Sequence, residues 1–226
     1  MKQILKRYLY FILGVAINSF GVAFITKSAL GTSQISSVPY VLSLRFPSVS
    51  FGMTTFFVNL LFILIQAVLL KKNFQPVQFL QVAVNVLFSV LIDVSMTLLS
   101  FFQPEAFGLR IVSLLAGCVI LAVGISIEVA PDVLVVPGEG AVRAISQTTG
   151  LKFGSVKVYF DVSLIVIASA LSFLFFGRLN GVGLGTVLSA LTVGKFVNIV
   201  NLHLPAVRKI RDLAASASCP SANFVP

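Results

Sequence analysis

Long apolar runs separated by short polar stretches dominate the chain. Six runs of roughly 20 residues carry at most two charged side chains each, and each can cross about 30 Å of hydrocarbon as an α-helix. The predicted spans are residues 8–26, 51–70, 77–101, 109–129, 153–176 and 183–202. The pattern predicts an all-α membrane protein with one transmembrane domain over residues 1–212. A disordered cytoplasmic tail is predicted over residues 213–226.

Glycines in the spans indicate an internal repeat. Gly14 and Gly21 in the first span recur as Gly117 and Gly124 in the fourth, at one constant offset. Each half then holds three spans, and because three is odd, the second half must enter the membrane from the opposite face. This predicts two inverted three-helix repeats, an architecture typical of transporters and channels. The two predicted repeats cover residues 8–101 and 109–202.

The first and fourth connections are long, and each contains a short apolar segment. In the first, Gly31-Thr-Ser33 is a predicted turn before a short helix over residues 34–44. In the fourth, Pro137-Gly-Glu-Gly140 is a predicted turn before a short helix over residues 141–149. Matched positions in the two halves favour broken or re-entrant helices whose ends can hold a ligand. The alternative is that both helices lie flat at the membrane interface.

Composition agrees with the pattern of spans. The 226 residues are 58% hydrophobic and 10% charged, too little charge for the surface of a soluble enzyme. The net charge of +9 does not indicate nucleic-acid binding, because the basic residues flank the spans instead of forming a basic domain. Counting ten basic residues on one side against four on the other predicts both termini in the cytoplasm.

Ionisable side chains within the spans are costly and usually face the interior of the bundle. Lys157 and Asp161 are four residues apart on one helix face, within pairing distance; they form either a structural pair or part of a cavity together with Glu139. Asn59 corresponds to Asp161 in the repeat. The predicted substrate-binding residues are Thr32, Ser33, Ser36, Asn59, Glu139, Lys157 and Asp161.

A second set of ionisable residues is predicted to couple solute movement to protons or ions: Asp93, Glu128 and Lys195. Asp93 has no charged neighbour at helical spacing, so it either pairs with Lys195 in the repeat-related span or is protonated because of burial. The sequence has no Ser/His/Asp set, Cys/His pair or cluster of metal ligands. Neither an enzyme, nor a metal, nor a cofactor is therefore expected.

Three motifs resemble the YczE/YyaS/YitT group of bacterial inner-membrane proteins over roughly residues 8–202. They are Leu30-Gly-Thr-Ser-Gln-Ile-Ser-Ser-Val-Pro-Tyr40, Pro137-Gly-Glu-Gly140 and Lys157-Val-Tyr-Phe-Asp161. The chain departs from the group at Gln34, where the group often has Pro. The resemblance implies a multi-pass protein of the bacterial plasma membrane, and transport is the function usually suggested for the group.

These observations lead us to expect a secondary transporter or permease for a small polar solute. Mixed charges favour a zwitterionic solute, and the buried carboxylates favour proton coupling. The alternatives are a channel with paired re-entrant helices, a non-transporting membrane scaffold, or a substrate-binding subunit of a larger transporter. The expected partners are the solute and the lipid bilayer, and a homodimer is compatible with a chain of 24.2 kDa.

Overall fold

A computed structural model describes residues 2–71 and 76–218 of the chain. Those residues form nine α-helices and a 3₁₀ turn, with no strand among them. The helices are α1 (Lys2–Lys27), α2 (Gln34–Arg45), α3 (Phe51–Leu70), α4 (Leu80–Leu98), α5 (Phe107–Val129), α6 (Pro137–Thr149), α7 (Phe153–Phe176), α8 (Leu184–His203) and α9 (Pro205–Ser218). The 3₁₀ turn, Pro76–Phe79, leads into α4.

Six of these helices are long and apolar enough to cross a membrane: α1, α3, α4, α5, α7 and α8. They match the six predicted spans to within a few residues at most ends, so the prediction of an all-α, multi-pass membrane protein is confirmed. Large apolar side chains remain exposed on their outer faces, such as Leu174 at 76% and Leu184 at 74%. In a membrane protein such faces contact lipid.

Local sequence signals explain where several helices begin and end. The Ser50 hydroxyl accepts a hydrogen bond from the Met53 amide and caps the start of α3. Gly150 and Gly177 end α6 and α7 in the left-handed conformation, which a residue without Cβ adopts at little cost. Helix α5 ends at Val129, two residues before Pro131, because the proline ring cannot continue a helix.

Helices α1 and α5 run antiparallel in unusually close contact. A Cβ added to Gly14 would lie 2.4 Å from the Glu128 backbone nitrogen, and one added to Gly21 would lie 2.6 Å from that of Leu121. Gly117 and Gly124 approach α1 equally closely, at Ile25 and Asn18. Small residues let membrane helices approach until their backbones touch. We call these four glycines and their contacts the glycine seam.

The short helices α2 and α6 both pack inside the bundle. Helix α2 lies against α3 and α7, and α6 lies against the same two helices. Val41 of α2 and Ala141 and Val142 of α6 are fully buried. At 1.5 Å per residue, helices of 12 and 13 residues are too short to cross the hydrocarbon core. Both therefore end within the bundle or near its edge.

The prediction of a turn at Pro137-Gly-Glu-Gly140 is wrong. These residues form the first turn of α6, which begins at Pro137 after the extended residue Val136. Proline is favoured at the first helical position, where its missing N–H has no partner to lose. Glu139 therefore projects from a helix and not from a loop.

The helix α9 was not predicted. Val207, Ile210 and Ala214 are spaced along one face and are 0%, 4% and 4% exposed, and this face packs on Ile127 and Ala130 of α5. Residues 213–218, predicted as the start of a disordered tail, belong to this helix. The remainder of the predicted tail, residues 219–226, lies outside the described residues.

Candidate functional site

A cavity of about 380 Å³ lies where α5 ends and α6 begins. Its walls come from the end of α5, the connector to α6, one face of α6 and the start of α7. The residues lining it are Glu128, Val129, Asp132, Leu134, Val135, Val136, Glu139, Arg143, Ser146, Gln147 and Phe153. Three carboxylates and one guanidinium thus line one small space. Two of them, Glu128 and Glu139, are among the predicted site residues.

Glu139 and Arg143 lie one turn apart on the face of α6 that lines the cavity. Within the described part of the chain, Glu139 and Arg143 do not form an ion pair with each other, whereas Lys157 and Asp161 do. Burial raises the pKa of the Glu139 carboxyl above its usual 4.5 and Asp161 raises it further, while Lys157 and Arg143 lower it. Glu139 is therefore a largely buried acid with cations nearby and an open side toward the cavity.

Lys157 and Asp161 form the predicted pair on α7, with 3.0 Å between Nζ and Oδ1. Their side chains are 26% and 14% exposed. The Gln34 side chain, at the start of α2, also hydrogen-bonds the Asp161 carboxylate. The starts of α2 and α6 therefore both approach this pair, one through Gln34 and the other through Glu139. Glu139 interacts electrostatically with both Lys157 and Asp161, but neither of those two residues lines the cavity with it.

Glu128 is 3% exposed and accepts a hydrogen bond of 2.6 Å from the Asn18 side-chain amide. Sequence reasoning did not identify Asn18. Its signal was available, because Asn18 is a polar residue on the helix face that carries Gly14 and Gly21. Because the glycine seam brings the two backbones together, a short side chain on α1 reaches a carboxylate on α5.

The connector between α5 and α6 is held by the first helix. The Arg7 guanidinium donates hydrogen bonds of 2.9 Å to the carbonyl oxygens of Pro131 and Asp132. Asp132 itself has a left-handed backbone, with φ of 46°, which is uncommon for a residue other than glycine. The cavity therefore lies at the end of the bundle where α1 begins.

A second cavity, of about 260 Å³, shares the connector and Arg143 with the first. Its far wall carries Gln66 of α3 and Gln81 of α4. These amides hydrogen-bond each other at 3.1 and 3.2 Å, and Gln66 also donates to the Pro137 carbonyl oxygen. Gly140 permits this approach, because a Cβ there would lie 2.4 Å from the Gln66 amide oxygen.

Of the seven predicted binding residues, Glu139 lines the first cavity, whereas Lys157, Asp161 and four others line neither. These four are Thr32, Ser33, Ser36 and Asn59. Each is engaged elsewhere. The Thr32 hydroxyl bonds the Thr26 hydroxyl at 2.7 Å, Ser33 donates to Ser36 at 3.0 Å, and the Asn59 amide donates to the Asn85 oxygen at 2.9 Å. All four are buried. Their polar groups join helices to each other, which is how a bundle satisfies such groups in the absence of water.

One of the two predictions for Asp93 was that it pairs with Lys195, and the structure shows no such contact. Its carboxylate accepts hydrogen bonds from the Ser50 hydroxyl at 2.5 Å and the Gly52 amide at 2.7 Å. It therefore caps α3, where the free N–H groups and the helix dipole favour negative charge. Lys195 is exposed on α8. Neither Asp93 nor Lys195 lines the cavity, so Glu128 is the one predicted coupling residue that does.

Metal chemistry has no ready site in the described part of the chain. No group of three His, Cys, Asp or Glu side chains within residues 2–71 and 76–218 is arranged to hold a metal ion. What the first cavity offers is charge of both signs: carboxylates that can accept hydrogen bonds from a cationic group, and a guanidinium that can bind an anionic one.

Comparison with known families places the chain. Residues 5–202 match a family described as a family of unknown function, DUF6198, and the protein belongs to this family. The match takes in α1 through α8 except for their outermost residues, and both cavities. No curated protein and no solved structure matches the chain.

Proposed function

We propose that this protein is a secondary transporter or permease that moves a small polar solute across the bacterial inner membrane, with both termini in the cytoplasm. The observation that carries the proposal is Glu139, a largely buried acid that lines a cavity of about 380 Å³ at one end of a six-span bundle. Burying an ionisable group in a membrane protein costs free energy, and such groups usually serve a function. Pockets of roughly this size accommodate small molecules.

The glycine seam supports an inverted repeat. The offset along the chain that carries Gly14 to Gly117 also carries Ile25 to Glu128. Gly14 contacts Glu128, and Gly117 contacts Ile25, so exchanging the two halves exchanges these contacts. Likewise α2 packs on α7 while α6 packs on α3. Two related halves around one site are the usual basis of alternating access.

The charges around the cavity support a solute with both signs of charge and coupling to protons. Acidic and basic groups both line it, which suits a zwitterion better than a simple anion. Burial raises the pKa of the Glu139 carboxyl above its usual value, in the direction that proton-coupled transport requires.

Uptake into liposomes tests the proposal. The purified protein is reconstituted and supplied with radiolabelled amino acids and related zwitterions under an inwardly directed pH gradient. We expect saturable uptake of at least one probe that collapses when the gradient is dissipated and is lost in Glu139→Gln. Lys195→Gln is the matched control, because it removes an exposed charge from a span far from the cavity. Absence of uptake for the whole panel would contradict the proposal.

Two alternatives are distinguished by the same preparation. A channel would give flux that does not saturate and is not coupled to protons with fixed stoichiometry. A binding subunit of a larger transporter would bind solute without moving it and would co-purify with an ATPase.

A further inference from the structure

Two pairs of oppositely charged residues, each four residues apart on one helix, lie near the cavity, but only one of them forms an ion pair. On α7, Lys157 and Asp161 meet at 3.0 Å. On α6, Glu139 and Arg143 do not meet, although Glu four residues before a basic residue is the more favourable order. Both side chains line the cavity instead. Neither Glu139 nor Arg143 is therefore held in an ion pair within the described residues, and both charges face the cavity.

We propose that Glu139 and Arg143 bind the two ends of one zwitterionic solute, the ammonium group at Glu139 and the carboxylate at Arg143. This rests on the proposed function and assigns Arg143 as the residue that determines solute specificity. Residues four apart on a helix have Cβ atoms about 5–6 Å apart. That spacing suits an amino acid whose ammonium and carboxylate are separated by one to a few carbon atoms.

The charges on the surrounding helices favour this orientation of the solute. Glu128 lies on the α5 side of the cavity, so the end near Glu139 carries two carboxylates. Lys157, whose charge also acts on Glu139, is held in an ion pair with Asp161. An ammonium group is therefore favoured there. Arg143 and the Gln147 amide lie one and two turns farther along α6 and offer N–H donors to a carboxylate.

Arginine is suited to this role in a way that lysine is not. Its planar guanidinium presents parallel N–H groups that bind a carboxylate through two hydrogen bonds. Arg143 lines both cavities and has no ion-pair partner among the described residues, so it can receive a solute carboxylate without first breaking an ion pair. The Arg143→Lys variant should therefore recover only part of the affinity.

Calorimetric binding to the purified protein tests the proposal. The probes are amino acids from glycine to 5-aminovaleric acid, each paired with the amine that lacks its carboxylate. We expect the wild type to bind at least one amino acid about tenfold or more tightly than its amine, since hydrogen bonds between charged groups are the strong ones. Arg143→Gln should remove that preference by weakening the binding of the amino acid, and Glu139→Gln should weaken the binding of both the amino acid and the amine.

Lys152→Gln is the matched control, because Lys152 is an exposed basic residue before α7 that does not line the cavity; it should leave the preference intact. The proposal is overturned if no amino acid in the series binds, if each amine binds as tightly as its amino acid, or if Arg143→Gln retains the preference. Preferential binding without uptake would instead reject transport and preserve this assignment. Uptake by the wild type, together with an unchanged preference in Arg143→Gln, would support transport and overturn the assignment of Arg143.

Discussion

Replacing Gly21 with alanine puts a methyl group where the backbone of α5 already lies. The added Cβ would be 2.6 Å from the Leu121 nitrogen, whereas ordinary contacts begin at 3.4 Å. The obstacle is backbone, so it cannot rotate away as a flexible side chain could. The two helices must separate by about 0.8 Å, the difference between these distances, or tilt relative to each other.

The cost follows from how membrane helices associate. Lipid is as apolar as the side chains, so packing contacts and hydrogen bonds hold the bundle together. A gap of 0.5–1 Å loses a quarter to a half of each contact's attraction. Overpacking of this kind costs about 1–3 kcal/mol. Separation would also lengthen the hydrogen bond of 2.6 Å between Asn18 and Glu128, so the upper part of that range is expected.

Thermal unfolding of the purified protein in detergent measures the effect. We expect Gly21→Ala and Gly124→Ala to lower the melting temperature by similar amounts, because both face backbone in the glycine seam. Gly194→Ala is the matched control, since it lies in the span α8 with nothing within 4 Å of an added Cβ. There alanine should be neutral or stabilising by up to about 1 kcal/mol. A Gly21→Ala protein as stable as Gly194→Ala would refute the close packing of α1 and α5.

Two further substitutions separate structural from functional acids. Asp93→Asn weakens the capping of α3 through Ser50 and Gly52, so it should lower the free energy of unfolding by about 1 kcal/mol. The proton dependence of uptake should stay unchanged. Unaltered stability together with lost proton coupling would contradict this. Because the pKa of Glu139 is raised in the folded protein, the unfolded chain loses that proton first. Stability should therefore fall as pH rises from about 4.5 through the folded pKa, and Glu139→Gln should flatten this slope; an unchanged slope would show that Glu139 is not the group.

Much of the fold could be predicted because its signals are local. An apolar run of about 20 residues predicts a span wherever the helix later packs. Gly150 ends α6, and Lys157 reaches Asp161, for reasons contained within one helix. The repeated glycines predicted an internal repeat, and in the structure they lie where the backbones of α1 and α5 approach each other. In contrast, α9 was missed although Val207, Ile210 and Ala214 recur at helical spacing, because the segment is short and too polar to be a span. Its packing on α1 and α5 shows that it belongs to the bundle.

The candidate site depended on contacts that no local pattern encodes. The sequence predicted that Glu139 binds substrate, but Arg143 became a site residue only because α6 begins at Pro137 and both side chains line one cavity. Asp93 and Glu128 looked equivalent as acids in apolar spans. In the structure, Asp93 accepts a hydrogen bond from the Gly52 amide at the start of α3, whereas Glu128 accepts one from the side-chain amide of Asn18. Helix periodicity determines which face a residue occupies, whereas only the packing of helices distant in sequence determines what that face meets.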